Sequence, residues 1–184
     1  MNEREWVDDL ANVLRDRLTS RRIRIETGLR LPYGYEISAY GETREATATE
    51  FQTDLAIIED LGDGAWLPRV IVEAKIDTIT THDAITYSRK ADCHRTVHPY
   101  LRYGVMIGNR RDRPLPGRLY RHGTGFDFMI SFQEFDLSKD ELSTFVKIVK
   151  DEIRASRNLE KIIYHSRRPD RDHYTVFRRR LLLE

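Results

Sequence analysis

Three charged residues stand where this sequence is otherwise most apolar, and their spacing sets the chemistry open to the chain. In VIVEAKI (70–76) an acid, Glu73, and a lysine, Lys75, lie two apart within a β-rich run. Side chains two apart in a strand share a face, so both project from one side, together with Ile71. A second acid, Asp54, interrupts the apolar series Leu55, Ile57 and Ile58 in FQTDLAIIED (51–60). None of these three is readily buried without a partner. Gly62-Asp63-Gly64 supplies turn chemistry between the two runs. The runs should therefore pair, letting Asp54 and Glu73 converge at the sheet's edge. Two carboxylates that close repel unless a cation neutralises them. Hard oxygen ligands select Mg²⁺ (or Mn²⁺), with the Ala74 backbone carbonyl as a further ligand. Lys75 could then stabilise a developing hydroxide or the added charge of a pentavalent phosphate. The competing reading is a pair of salt bridges, Glu73 with Lys75 and Asp54 with a nearby arginine. E-x-K arises easily in a chain that is 33% charged.

The elements that must position these residues are legible around them. Asn2 can cap a first helix, with Glu5 three residues on and Trp6, Leu10, Val13, Leu14 and Leu18 at helical spacing. Residues 22–26 and 35–40 are β-rich between Gly28, Gly34 and Gly41 and predict strands, and 51–60 and 69–76 predict two more. Residues 81–95 lack Gly and Pro and carry Ala84, Ile85, Ser88 and Ala91 at helical spacing, so they predict a helix. YGVMIGN (103–109) predicts a buried strand, and RLYRHGTGFDFMISF two strands around the turn at Gly123–Gly125. A last helix opens with the capping box Ser138-Lys139-Asp140-Glu141 and runs through Leu142, Phe145, Val146, Val149 and Ile153.

Thr53-Asp54, then Glu73-Ala74-Lys75, then a helix and YGVMIGN resembles the PD-(D/E)xK nuclease superfamily, the restriction-endonuclease-like fold. The resemblance covers roughly residues 1–110, and the sequence departs from it at Thr53, where the pattern's name has proline. It implies an α/β domain with a mixed β-sheet flanked by helices, which the chain's own pattern extends at the C-terminus by a hairpin and helix (about 111–184). It also implies a Mg²⁺-dependent endonuclease for double-stranded DNA, restriction-type, leaving 5′-phosphate products. Asp54 and Glu73 would be its ligands and Lys75 its catalytic lysine. Members often add a further acid. Glu3, on the helix side that carries Val7, Leu10 and Leu14, is the first choice, with Glu36 and Glu50 as competitors. On the helix after E-x-K, Tyr87 and Lys90 share a face where some members hold phosphate-contacting residues, although a solvated face is the preferred reading of both. A junction-resolvase-like repair nuclease, or a DNA-binding module without catalysis, are the alternatives.

Composition bounds the rest. The 184 residues suit a single domain, and no apolar run approaches the roughly 20 needed to cross a bilayer. One cysteine, Cys93, excludes an internal disulfide and fits a reducing cytoplasm. The charged N-terminus has no apolar core of a signal peptide. Residues 1–92 hold 12 basic and 18 acidic residues, net −6, whereas 93–184 hold 19 and 12, net +7. Attraction for phosphate must therefore come from the second half, with Arg110, Arg111 and Arg113 in a loop and Arg118 and Arg121 on the strand after it, or from a tail holding Arg178–Arg180. Cutting both strands of a duplex with one site per chain implies a homodimer, for which the helix beginning at Ser138, with Ile148 beside its core stripe, is the candidate interface. His82, His94 and His98 lack a metal spacing, and Cys93 beside His94 suits a buried thiol better than a nucleophile.

Overall fold

The computed structural model describes residues 1–165 and 168–170; Arg178–Arg180 lie outside the described residues. The chain is mixed α/β. Its order is α1 (Glu3–Arg17), β1 (Ile23–Thr27), β2 (Arg30–Tyr40), β3 (Arg44–Gln52), β4 (Leu55–Gly62), β5 (Ala65–Ile76), α2 (Thr81–Val97), β6 (Arg102–Gly108), α3 (Gly117–His122), β7 (Phe128–Ser131) and α4 (Lys139–His165). Five strands form one sheet in the order β1-β4-β5-β6-β7, and β2-β3 form a separate ribbon. β1, β4 and β5 are antiparallel, while β6 and β7 run parallel to β5. No helix among the described residues is long and apolar enough to cross a membrane.

Alternation within β5 divides the core. Val70, Val72 and Ala74 face the layer of α1 and α4, with Trp6, Leu10, Leu14, Phe145 and Val149. Ile71 faces the layer of α2 and α3, with Ala84, Ala91, Tyr103 and Leu119. Glu73 and Lys75 follow Ile71 at spacing two, so they belong to the α2 side. Each fully buried Leu, Ile or Phe contributes on the order of 1.5–3 kcal/mol, which makes this two-sided packing the source of the sheet's rigidity. Helix α1 is fixed by a capping box: Glu5 N–H donates to Asn2 Oδ1 and Asn2 N–H to Glu5 Oε2, both at 2.9 Å. One turn in, the Trp6 indole N–H reaches Phe135 O at 3.1 Å, and a Cβ placed on Gly108 would come within 2.8 Å of its ring.

Several sequence expectations change here. FQTDLAIIED is not one strand: β3 ends at Gln52 and β4 begins at Leu55, with Thr53-Asp54 between them. Thr53 is buried, and both its N–H and its Oγ1 bond Leu29 O, at 2.9 and 3.0 Å. That anchors the root of the β2-β3 ribbon as it leaves the sheet. β3 itself was not predicted, because REATATEFQ has no apolar face to signal it. RLYRHGTGFDFMISF does not form a hairpin: 117–122 is helix α3, and β7 joins the main sheet beside β6. Arg118 and Arg121 therefore lie on a helix. The sheet's lateral edges are β1 and β7, so Glu73 stands on the middle strand.

Candidate active site

The site forms where the β4 ladder stops. Pairing between β4 and β5 ends at Leu55 opposite Val72. In the same register Ala74 would face Thr53, but the chain has turned into the ribbon. Asp54 fills that place, and its Oδ2 accepts the Ala74 N–H at 2.8 Å. One acid is thereby fixed to the backbone between Glu73 and Lys75. The other carboxylate, Glu73, is 1% exposed. Its Oε1 accepts the Tyr103 hydroxyl at 2.5 Å and pairs with Lys90 Nζ at 2.8 Å.

Burial pushes the Glu73 carboxyl up to about 7, and the charge of Asp54 pushes the same way while Lys90 and Tyr103 pull against it. The sign of that push is what like charges in one neighbourhood produce. Lys75 pairs with neither of them. Its Nζ donates to both oxygens of Glu3, at 3.1 and 3.2 Å, and lies 5.5 Å from the Tyr87 ring centre. Burial works against the Lys75 ammonium, but Tyr87 and Glu3 outweigh it and hold the group well above its ordinary value. Lys75 is therefore a fixed cation at neutral pH. Burial lifts the Tyr87 phenol to about 12, against the pull of Lys75.

Of the further acids, Glu3 reaches the site, through Lys75. Glu50 pairs with Arg30 on the ribbon at 3.1 Å, and Glu36 is exposed on β2. Tyr87 and Lys90 are not on a solvated helix face. Tyr87 is half-buried, and the Lys90 side chain is 14% exposed and turned inward on Glu73. A cleft of about 200 Å³ between Glu3, Asp8, Thr27, Gly28 and Asp54 opens beside this group.

The basic loop divides. Arg110 is buried and ties its loop to the β5–α2 connection, donating to Asp77 O at 2.6 Å and Pro114 O at 2.8 Å. Arg118 donates to Ile79 O at 3.1 Å. Arg111, Arg113 and Arg121 face water. His94 is a core residue: burial lowers its ring to about 4, and Nε2 lies 3.2 Å from Leu31 O. Ring contacts at 5.7 Å set it beside Phe51 and Tyr103.

Tyr103 and Lys90 are the site residues whose contacts sequence reasoning missed, since both reach Glu73 only through the pairing of β6 and α2 with β5. Among the described residues no cluster of three or more His, Cys, Asp or Glu is arranged to hold a metal ion. The available oxygens are the Asp54 and Glu73 carboxylates and main chain, with the Glu3 carboxylate engaged by Lys75. No family model matches the chain, and no match is found among curated proteins.

Proposed function

We propose that this chain is a metal-dependent endonuclease for double-stranded DNA, built on a restriction-endonuclease-like fold. The observation that carries the reading is the Asp54 carboxylate fixed on the Ala74 N–H, between the buried Glu73 and the Lys75 ammonium, at the carboxyl end of the central strand. The donor set fits a hard divalent cation such as Mg²⁺ or Mn²⁺: two carboxylates that repel one another, each with a single oxygen used in the contacts above. Asp54 and Glu73 would hold the ion, with the Ala74 main chain beside them. When bound, such an ion polarises the phosphate and makes water a nucleophile at neutral pH.

The chain's own groups supply the rest. Lys75, kept charged and oriented by Glu3 and Tyr87, stabilises the extra negative charge of the phosphorane, the role its spacing first suggested. Hydrolysis adds one water across the P–O3′ bond. The water oxygen joins phosphorus, the 3′ oxygen leaves and takes up a proton, and the product carries a 5′-phosphate. Arg111, Arg113 and Arg121 are the exposed cations available to the duplex, and two copies of the chain would supply one site per strand.

The contact between Lys90 and Glu73 favours the second reading, a DNA-binding module that does not cut. The test incubates purified protein with plasmid and with branched DNA, with and without Mg²⁺. Cleavage at fixed plasmid positions is the expected result, and branch-selective cutting indicates a resolvase. Binding without cutting, or cutting undiminished in excess EDTA, overturns the proposal.

A further inference from the structure

Lys90 is held as if in a receptor for an ammonium group. Its Nζ lies 2.8 Å from Glu73 Oε1 and donates to Gln52 O at 3.0 Å. It stands 5.4 Å from the Tyr87 ring centre and 5.7 Å from that of Phe51. An anion, a carbonyl and two aromatic faces are the groups that bind a desolvated cation. Among the described residues Glu73 has no other cation paired with it, because Lys75 is spent on Glu3. Two neighbouring carboxylates need positive charge, and in the protein alone Lys90 supplies it.

We propose that Lys90 is a tethered stand-in for the divalent ion, a cation built into the chain that neutralises Glu73 in the free protein and must be overcome for the ion to bind. This rests on the reading of Asp54 and Glu73 as ligands. The stand-in has two effects of opposite sign. It keeps a buried carboxylate from standing unpaired, which supports folding. It also sets a positive charge within ion-pair distance of a ligand, which weakens the site for any divalent ion. A phosphate arriving with DNA offers the ammonium another partner, so DNA and the ion should favour one another's binding, as linkage requires. Lys90 is thus a positioning residue, acting through Glu73.

The test is calorimetric titration of the metal-free full chain with Mn²⁺, without DNA, for the parent, Lys90→Met and Lys90→Arg. Lys90→Met should bind Mn²⁺ roughly tenfold tighter than the parent, since one opposing charge is gone, and Lys90→Arg should bind no tighter than the parent. A merely structural lysine predicts the reverse, because a disturbed site binds more weakly. Thermal denaturation gives a second readout. Lys90→Met should melt below the parent in EDTA and gain more from added Mn²⁺ than the parent does, as the ion replaces the lost ammonium. If the parent binds Mn²⁺ and Lys90→Met binds it equally or less well, the stand-in is rejected while the metal site survives. If neither binds Mn²⁺, the metal reading and the stand-in fall together.

Discussion

Two buried glutamates lie near opposite ends of the β4–β5 pair, and the fold treats them in opposite ways. Glu59 on β4 is met by guanidinium groups: Arg69 Nε at 2.7 Å and Arg157 Nη2 at 2.7 Å. Arg69 in turn holds Glu160 at 2.6 Å. Burial raises the Glu59 carboxyl, yet Arg157 and Arg69 outweigh it and hold the group below its ordinary value. At Glu73 burial prevails, reinforced by Asp54, and the carboxyl rises to about 7. The Arg157 fork takes both Glu59 oxygens and Arg69 bridges Glu59 to Glu160, which makes the first cluster a closed tie between β4, β5 and α4. A single ammonium, that of Lys90, touches Glu73 through one point and leaves the second with unspent capacity. A balanced buried cluster is a structural device; an unbalanced one is where chemistry can occur.

The largest effect should come from unbalancing the closed cluster. Arg69→Ala leaves Glu59 with Arg157 alone and takes Arg69 from Glu160, and breaking a buried pair costs at most about 3–5 kcal/mol. Urea denaturation should show a loss on that scale, and a loss under 1 kcal/mol would erase the distinction drawn between the two ends. Next is Lys75→Ala, which should slow single-turnover cleavage on the order of 10²-fold. It should hardly move stability, because the Lys75–Glu3 pair is partly exposed. Lys75→Arg should also fail, since a planar fork does not replace a compact ammonium. Parental rates in Lys75→Ala would reduce Lys75 to a partner of Glu3.

Acidity sharpens the contrast more gently. A carboxyl raised from 4.5 to about 7 binds its proton more tightly folded than unfolded. The Glu73 contribution is therefore present at low pH and is lost as pH rises through that window. In EDTA, wild type should lose melting temperature relative to Glu73→Gln between about pH 4.5 and 7, the window set by those two values. Glu59, with its lowered carboxyl, behaves in reverse: its contribution is kept above its ordinary value and lost as pH falls. Parallel melting curves for wild type and Glu73→Gln would contradict the assignment. The smallest effect belongs to the arginines in water. Arg113→Ala should flatten the slope of log K against log salt by about 0.9 for the one phosphate contact removed. An unchanged slope removes that loop from the DNA path.

Much of this was legible from the chain. Asp54, Glu73 and Lys75 stood out because charge inside apolar runs of sequence demands an explanation, and the capping boxes at Asn2 and Ser138 are local chemistry that folding preserves. What was hidden depends on contacts far apart in sequence. Lys90 reads as a solvated helix residue until α2 lies against β5. Arg110 reads as a phosphate contact until its guanidinium turns inward to Asp77 and Pro114. The β-rich run after Arg118 misled in another way, since a two-residue period says nothing about a six-residue helix started by Pro116. The Thr80–Asp83 capping box that opens α2 was readable and was missed.

The close seating of Trp6 against Gly108 has a consequence for how this protein can vary. The indole rests where any side chain at position 108 would have to go, so α1 approaches the sheet as nearly as backbone allows. Glu3, one turn before Trp6, meets Lys75 only from that approach. A single added methyl at 108 would lift the helix by some fraction of an ångström and draw the carboxylate away from the ammonium. Gly108→Ala would alter the site without touching substrate, water or ion. Inheritance can therefore lose this site through a position that no inspection of its charged residues would mark.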